Sequence, residues 1–239
     1  MLRRTAPILL IGLVASAVFA QRHDVRVVIE SDGWKLVGDL RVPATKKPVP
    51  IVVMLNKANG TRRAYDALAG QLSDRGIASL RIDLRGHGES INKGKFGPPF
   101  DAPMQALVDG SDKDVSAAVL YLTSVKGIDA TRVGVVGASY TGEEMAVSAR
   151  TMGFAKAYVA LSPGSFSEES IKGIDASGAA WLFIRSADER FLGGMHENIR
   201  KASRTARLLE VPGNKHASDI LGSDPWLTDM IATWFKYNL

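Results

Sequence analysis

Val133-Gly134-Val135-Val136-Gly137-Ala138-Ser139-Tyr140-Thr141-Gly142 is a short apolar strand pattern that runs directly into a serine and then into a helical pattern. A serine on so sharp a turn adopts a strained backbone conformation that exposes its hydroxyl. The free amides at the start of the following helix point towards the same place. The stretch therefore predicts Ser139 as a nucleophile. The alternative interpretation is an ordinary strand–turn–helix connection in which Ser139 is the N-cap.

One position of this turn departs from the usual spacing, in which a glycine stands two residues before the serine and another two residues after it. Thr141 occupies the last position here, and Gly142 follows one residue later. We expect the β-branched side chain to make the turn tighter, because the helix packs closest to the neighbouring strand at this point.

Short apolar runs alternate with helical patterns on both sides of this stretch. The segments predicted as strands are 25–29, 34–42, 51–55, 77–83, 133–136, 157–161, 180–184 and 208–211. The segments predicted as helices are 62–75, 112–125, 140–151 and 226–237. This alternation predicts an α/β fold with a mostly parallel sheet of about eight strands and helices on both faces. The first two strands form an antiparallel hairpin around Ser31-Asp32-Gly33.

Two long segments, 88–111 and 162–179, lack clear periodicity. Both are too short to form a large cap domain. We expect them to be loops at the rim of a site.

Composition excludes several classes of protein. The 239 residues include no cysteine, so a disulfide scaffold, a cysteine nucleophile and a thiolate zinc site are excluded. The net charge is +5, but the basic residues are spread along the chain, as is typical of a solvated surface. We therefore expect no nucleic-acid partner.

The first twenty residues predict a secretory signal peptide. Arg3 and Arg4 precede an apolar run at 8–14, and the segment ends in Val18-Phe19-Ala20, a small-residue cleavage pattern before Gln21. Cleavage would leave a single domain, 21–239, exported to the periplasm or the extracellular medium of a bacterium, with no stable membrane association. The alternative is an uncleaved membrane anchor.

These motifs resemble the α/β-hydrolase superfamily. Besides the serine turn, the segment Asp83-Leu84-Arg85-Gly86-His87-Gly88-Glu89-Ser90 is similar to one that follows the fourth strand in many members, and 127–139 resembles the dienelactone-hydrolase-like and small serine esterase branches. The resemblance covers nearly all of 24–239. It implies the α/β-hydrolase fold and a catalytic triad in the chain order serine, acid, histidine. It implies no metal and no organic cofactor.

The resemblance assigns the base of this triad to His216, which lies just past the last predicted strand. The other three histidines fit the role less well. His87 lies in a glycine-rich turn and is expected to be structural packing, His196 is expected on a helix surface, and His23 precedes the first strand.

The acid is expected after the strand at 180–184, where two carboxylates are adjacent. Counting from Ser186, as in similar sequences, indicates Glu189. Asp188 stands one residue earlier and is the commoner residue type for this role, so it stays an alternative.

The oxyanion hole requires two donors aimed at the developing negative charge. The resemblance indicates the backbone amides of Tyr140 and Ala58. The second of these lies in a loop where many relatives carry histidine-glycine, whereas this chain has Asn56 and Lys57. Lys57 is either a solvated side chain or a source of positive potential that favours an acidic substrate.

These residues predict an exported serine hydrolase that acts on a small-molecule ester through an acyl-enzyme. Two alternatives stay open: a peptidase or amidase with the same triad, and a non-catalytic binding protein on a decayed hydrolase fold. The sequence indicates no oligomeric state.

Overall fold

The computed structural model describes residues 23–164, 166–189, 197, 201, 206–222 and 225–239. The expected signal peptide, 1–20, and His196 lie outside the described residues. In the part of the chain that is described, no helix has the length and apolar composition needed to cross a membrane.

The described residues form one sheet of eight strands in the order β1-β2-β4-β3-β5-β6-β7-β8. The first two pairings, β1 with β2 and β2 with β4, are antiparallel, and all the others are parallel. The strands are β1 Val25–Ser31, β2 Trp34–Arg41, β3 Val49–Leu55, β4 Ala78–Ile82, β5 Ile128–Ala138, β6 Ala155–Leu161, β7 Ala180–Ser186 and β8 Ala206–Val211. The expected mostly parallel sheet with an antiparallel first hairpin is confirmed.

The described α-helices are α1 Asp66–Asp74, α2 Ala102–Asp109, α3 Ser111–Leu122, α4 Thr141–Met152, α5 Glu168–Ala176 and α6 Pro225–Asn238. Helices α3, α4 and α5 pack on one face of the sheet, and α1 and α6 pack on the other. Helices therefore cover both faces, as expected.

The central strand β3 shows how the sequence pattern produces this arrangement. Successive side chains of a strand point to opposite faces. Ile51, Val53 and Leu55 belong to the core under α3 and α4, whereas Val52 and Met54 belong to the core under α1 and α6. A continuous apolar run is thus required in a strand that is buried on both faces.

Two expectations about local structure were wrong. Segments 88–111 and 162–179 were expected to be loops, yet they contain α2 and α5. Each helix begins at a side-chain cap: Asp101 accepts a hydrogen bond from the amide of Met104, and Ser167 accepts one from the amide of Ser170. The segment at 62–75 also differs, because it begins as a 3₁₀ turn before α1.

The parallel strands bring the three predicted triad residues, together with Ser162, to one edge of the sheet. Ser139 follows β5, Ser162 follows β6, Glu189 follows the end of β7, and His216 follows β8. Because the carboxyl ends of parallel strands meet at the same edge, these four residues lie next to one another there.

Candidate active site

The turn between β5 and α4 holds Ser139 in a left-handed backbone conformation, with φ of 59°. This conformation is rare for any residue but glycine and is kept only where neighbouring contacts fix it. The amide of Ser139 donates to the carbonyl of Leu161 at 3.0 Å, and its carbonyl accepts from the amides of Gly142 and Gly164. These three hydrogen bonds hold the strained serine between β6 and the start of α4.

Thr141 fits this turn through its hydroxyl. Its Oγ1 accepts from the amide of Ala138 at 2.5 Å and lies 2.9 Å from the carbonyl of the same residue, to which it donates. A side chain at Gly137 would meet this hydroxyl at 2.9 Å, and one at Gly142 would meet Pro163 at 2.6 Å. The close approach that requires glycine therefore falls on Gly142, which explains the shifted spacing.

His216 is hydrogen-bonded to Ser139. Its Nε2 lies 3.0 Å from the Oγ of Ser139, and its Nδ1 lies 2.7 Å from Oε1 of Glu189. A carboxylate only accepts, so Nδ1 carries the proton and donates to Glu189. Nε2 is then free to accept from the serine hydroxyl.

Glu189, and not Asp188, completes this chain of hydrogen bonds. Glu189 is 4% exposed, and its Oε2 accepts from the hydroxyl of Ser162 at 2.6 Å and from the amide of Ser186 at 2.9 Å. Asp188 is exposed, and its amide donates to the carbonyl of Gly213. Sequence reasoning did not find Ser162, although its position directly after a buried strand was a usable signal.

The loop after β3 is held without the histidine-glycine of other sequences. Asn56 is fully buried, and its side chain accepts from the amide of Leu84 at 2.8 Å and donates to the carbonyl of Lys57 at 2.8 Å. Within the described residues, neither the amide of Ala58 nor that of Tyr140 donates to a protein acceptor. Both remain available to a ligand, and their role as oxyanion donors stays a prediction.

Lys57 is neither free nor fully solvated. Its Nζ lies 2.7 Å from Oδ2 of Asp219 and forms an ion pair with it. The partner carboxylate offsets the positive potential that an acidic substrate would need.

His87 is buried beside the site without joining its hydrogen-bonded chain. Its ring stacks on Phe96 with 4.7 Å between ring centroids, and its Nδ1 donates to the carbonyl of Arg85 at 3.0 Å. Burial lowers the pKa of His87, which keeps the ring neutral. These contacts indicate that His87 has a structural role in the packing of this turn.

A cavity of about 330 Å³ opens beside Ser139. It is enclosed by α2, by the start of α4 and by the loop after β6. Its lining residues are Gln105, Val108, Asp109, Ser139, Tyr140, Glu143, Glu144 and Gly164. Sequence reasoning missed this cavity because α2, which forms one wall, was expected to be a loop.

The cavity wall is acidic. Glu144 is 7% exposed, and burial raises its pKa to about 8, with a further contribution from the carboxylates of Asp112, Glu143 and Asp109. The carboxylate of Glu143, a residue of α4, contacts the start of α5. It accepts hydrogen bonds there from the amide of Ser167 and the hydroxyl of Ser170.

A doubly covered, mostly parallel sheet with a strained serine after β5, next to a histidine and a buried carboxylate, defines a member of the α/β-hydrolase superfamily. Sequence comparison gives the family: the model of the X-Pro dipeptidyl-peptidase (S15) family matches residues 32–179. This match spans more than half of the chain, which therefore belongs to that family of hydrolases.

The individual relatives that match this chain do so at low sequence identity and over only part of its length. A 2,6-dihydropseudooxynicotine hydrolase of Paenarthrobacter nicotinovorans is 27% identical over 52% of this chain and 29% of its own length. The quorum-quenching protein AidA of Acinetobacter baumannii is 30% identical over 52% of this chain and 38% of its own length. The chain thus matches about a third of each of these curated relatives.

Solved structures share the fold. A dienelactone hydrolase from Anabaena variabilis superposes with a TM-score of 0.73 at 20% identity, covering 92% of this chain and 99% of that one. Est1E from Butyrivibrio proteoclasticus, solved with ferulic acid bound, gives a TM-score of 0.68 at 18% identity, covering 87% and 98%. The dienelactone-hydrolase-like resemblance is confirmed at the level of fold.

Proposed function

We propose that the protein is a serine hydrolase that cleaves carboxylic esters through an acyl-enzyme. The observation that carries this proposal is the unbroken chain of hydrogen bonds from Ser139 through His216 to Glu189. Nucleophile, base and orienting acid within hydrogen-bond reach are what such a reaction requires.

The reaction follows from these contacts. The Oγ of Ser139 attacks the ester carbonyl while Nε2 of His216 takes the hydroxyl proton, and Glu189 stabilises the imidazolium that forms. The amides of Tyr140 and Ala58 donate to the oxyanion of the tetrahedral intermediate. His216 then protonates the departing alcohol. In the second half, His216 takes a proton from water, whose oxygen attacks the acyl group, and returns that proton to Ser139 as the acid leaves.

A peptidase using the same three residues is a second candidate, because the matching family is named for X-Pro dipeptidyl-peptidases. Ester cleavage is the first choice because the leaving group of an ester is an alcohol. An alcohol needs less assistance from the general acid than the amine that leaves from an amide. The third interpretation, a decayed non-catalytic fold, does not account for the strained φ of Ser139 together with its partnered histidine.

The test uses residues 21–239 and the variant Ser139→Ala. We expect the wild-type protein to hydrolyse short p-nitrophenyl esters and to react with a fluorophosphonate at Ser139. Removing a triad nucleophile should lower kcat by about 10³-fold or more. Peptide p-nitroanilides, assayed in parallel, report the peptidase candidate.

Each outcome has a defined meaning. Faster turnover of the anilides would replace the ester assignment by the peptidase assignment. Equal activity in wild type and Ser139→Ala would remove Ser139 from the mechanism. Absence of both turnover and labelling would leave the decayed fold.

We also propose that the protein is exported with cleavage before Gln21. The support is the charged start, apolar run and small-residue end of the first twenty residues. Mass spectrometry of the protein from cell fractions of a bacterial host measures the start of the mature chain directly. An intact start at Met1 in the membrane fraction would favour the anchor instead.

A further inference from the structure

Among the residues that the structure describes, the cavity beside Ser139 is lined by charges of one sign. These are three carboxylate side chains, Asp109, Glu143 and Glu144, with no described lysine, arginine or histidine. Arg85, the nearby cation, is committed to other groups, since it bonds to the buried Asp114. The cavity therefore attracts positive charge at the point where the nucleophile is exposed.

Glu144 is the feature that goes beyond an ordinary acidic surface. It is buried and lines the cavity, and it forms no ion pair with any described residue. The group that stabilises its charged form is the backbone amide of Asp112, while three neighbouring carboxylates oppose it. A buried carboxylate without a cation is unfavourable, and a cation in the cavity would relieve that.

The geometry points to substrates that carry an alkylammonium group, which would occupy the cavity between α2 and α4 while Ser139 attacks the ester carbonyl. This inference rests on the proposed serine-hydrolase function and adds the chemical class of its substrate. An organic cation fits better than a metal ion, because no group of acidic and histidine side chains among the described residues has the arrangement of a metal site. The ion pair of Lys57 with Asp219 offsets the attraction that this lysine would offer to an acidic substrate.

The test compares esters that differ only in charge. Butyrylcholine and 3,3-dimethylbutyl butyrate place the charged or neutral group in the alcohol half. The p-nitrophenyl esters of 4-trimethylammoniobutanoate and of 5,5-dimethylhexanoate place it in the acyl half. A quaternary ammonium keeps its charge at every pH, so the ratio of kcat/KM within a pair reports the cavity alone.

At pH 9, where Glu144 is ionised, we expect the cationic member of at least one pair to be preferred about 10-fold or more in the wild-type protein. Glu144→Gln and Asp109→Asn, which remove charge without changing shape, should each lower this preference about 3- to 10-fold at that pH. Glu169→Gln is the matched control, because Glu169 is exposed at the start of α5 and does not line the cavity. It should keep the wild-type preference.

A second readout needs no turnover. Choline should slow fluorophosphonate labelling of Ser139, and its neutral isostere, 3,3-dimethylbutanol, should not. Glu144→Gln should weaken the protection by choline. The variant at Asp109, on the exposed helix α2, keeps the test decisive if the buried variant is unstable.

The outcomes separate the inference from the function on which it rests. Labelling of Ser139 with no preference in either ester pair and no protection by choline would overturn the inference and leave the serine hydrolase standing. A preference that survives in both Glu144→Gln and Asp109→Asn would overturn it as well, because the charge would then be recognised elsewhere. Absence of both labelling and turnover would overturn the proposed function first.

Discussion

Ser162 shows how much a single residue outside the predicted triad contributes to its geometry. It is fully buried, adopts a φ of 39°, and donates from its amide to the carbonyl of Ile184 at 2.7 Å. Its hydroxyl donates to Oε2 of Glu189 at 2.6 Å, while the other oxygen of this carboxylate, Oε1, bonds to His216. Ser162 therefore acts through Glu189, as a positioning residue that fixes the direction in which the carboxylate meets the imidazole.

We predict that Ser162→Ala lowers kcat about 10-fold and leaves KM nearly unchanged. Without the hydroxyl, only the amide of Ser186 still holds Oε2, so Glu189 orients His216 less well. Steady-state kinetics on a p-nitrophenyl ester measures the split, and Ser124→Ala, an exposed site, serves as the control. An unchanged kcat, or a loss confined to KM, would contradict the positioning role.

The sequence narrowed the acid of the triad to two adjacent residues, Glu189 and Asp188. Which of two adjacent carboxylates points inward depends on the turn after β7, where the amide of Glu189 donates to the carbonyl of Ser186. That turn buries the side chain of Glu189 and exposes that of Asp188. The choice is made by tertiary hydrogen bonds, which a pattern of residue types does not encode.

The connection from β5 to α4 is the element on which the site depends, and Thr141 holds it together. Its hydroxyl is the partner of both the amide and the carbonyl of Ala138, one residue before the nucleophile. Thr141 is fully buried, so no water replaces this partner when the hydroxyl is removed.

We predict that Thr141→Val lowers the free energy of unfolding by about 1–3 kcal/mol, because it leaves buried backbone groups of Ala138 without a partner. Thr141→Ser keeps the hydroxyl and should lose less than half of that. Urea unfolding of the two variants and the wild type provides the comparison. Equal losses would mean that the hydroxyl, which only Thr141→Val removes, contributes no more to stability than the methyl group, which only Thr141→Ser removes.

Strong periodicity made most elements predictable, and its absence hid the others. The apolar runs of β3 and β6 and the spacing of α3 indicated the elements directly, since each has a buried face. Helix α2 has no buried residue, so the core imposes no apolar stripe on its sequence. Only the capping residues of α2 indicated this helix in the sequence. The wall that α2 forms beside Ser139 was therefore missed as well.

At the scale of the whole molecule, carboxylates act on stability in two opposite directions. Hydrogen bonds and charge from Arg41 and Arg81 lower the pKa of Asp24 against the effect of its partial burial, and Arg62 and Arg26 lower the pKa of Glu89. Such groups stabilise the fold at neutral pH and lose this contribution as the pH falls through their lowered values. Glu144 is opposite, because its pKa in the folded protein, about 8, lies above its ordinary value of 4.5.

The folded protein therefore binds one proton more than the unfolded chain between these two values, and stability falls as the pH rises from about 4.5 to about 8. We predict that Glu144→Gln removes this decline. The variant should match the wild type near pH 5 and exceed its free energy of unfolding by about 4 kcal/mol at pH 9, as urea unfolding measures it. Glu169→Gln, which removes an exposed carboxylate, should follow the wild type throughout.

If the free energies of unfolding of the wild type and Glu144→Gln instead change in parallel with pH, ionisation of Glu144 does not destabilise the fold. The cavity would then owe its negative charge to Asp109 and Glu143 as much as to Glu144, and the preference for a cation would not change as the pH passes 8.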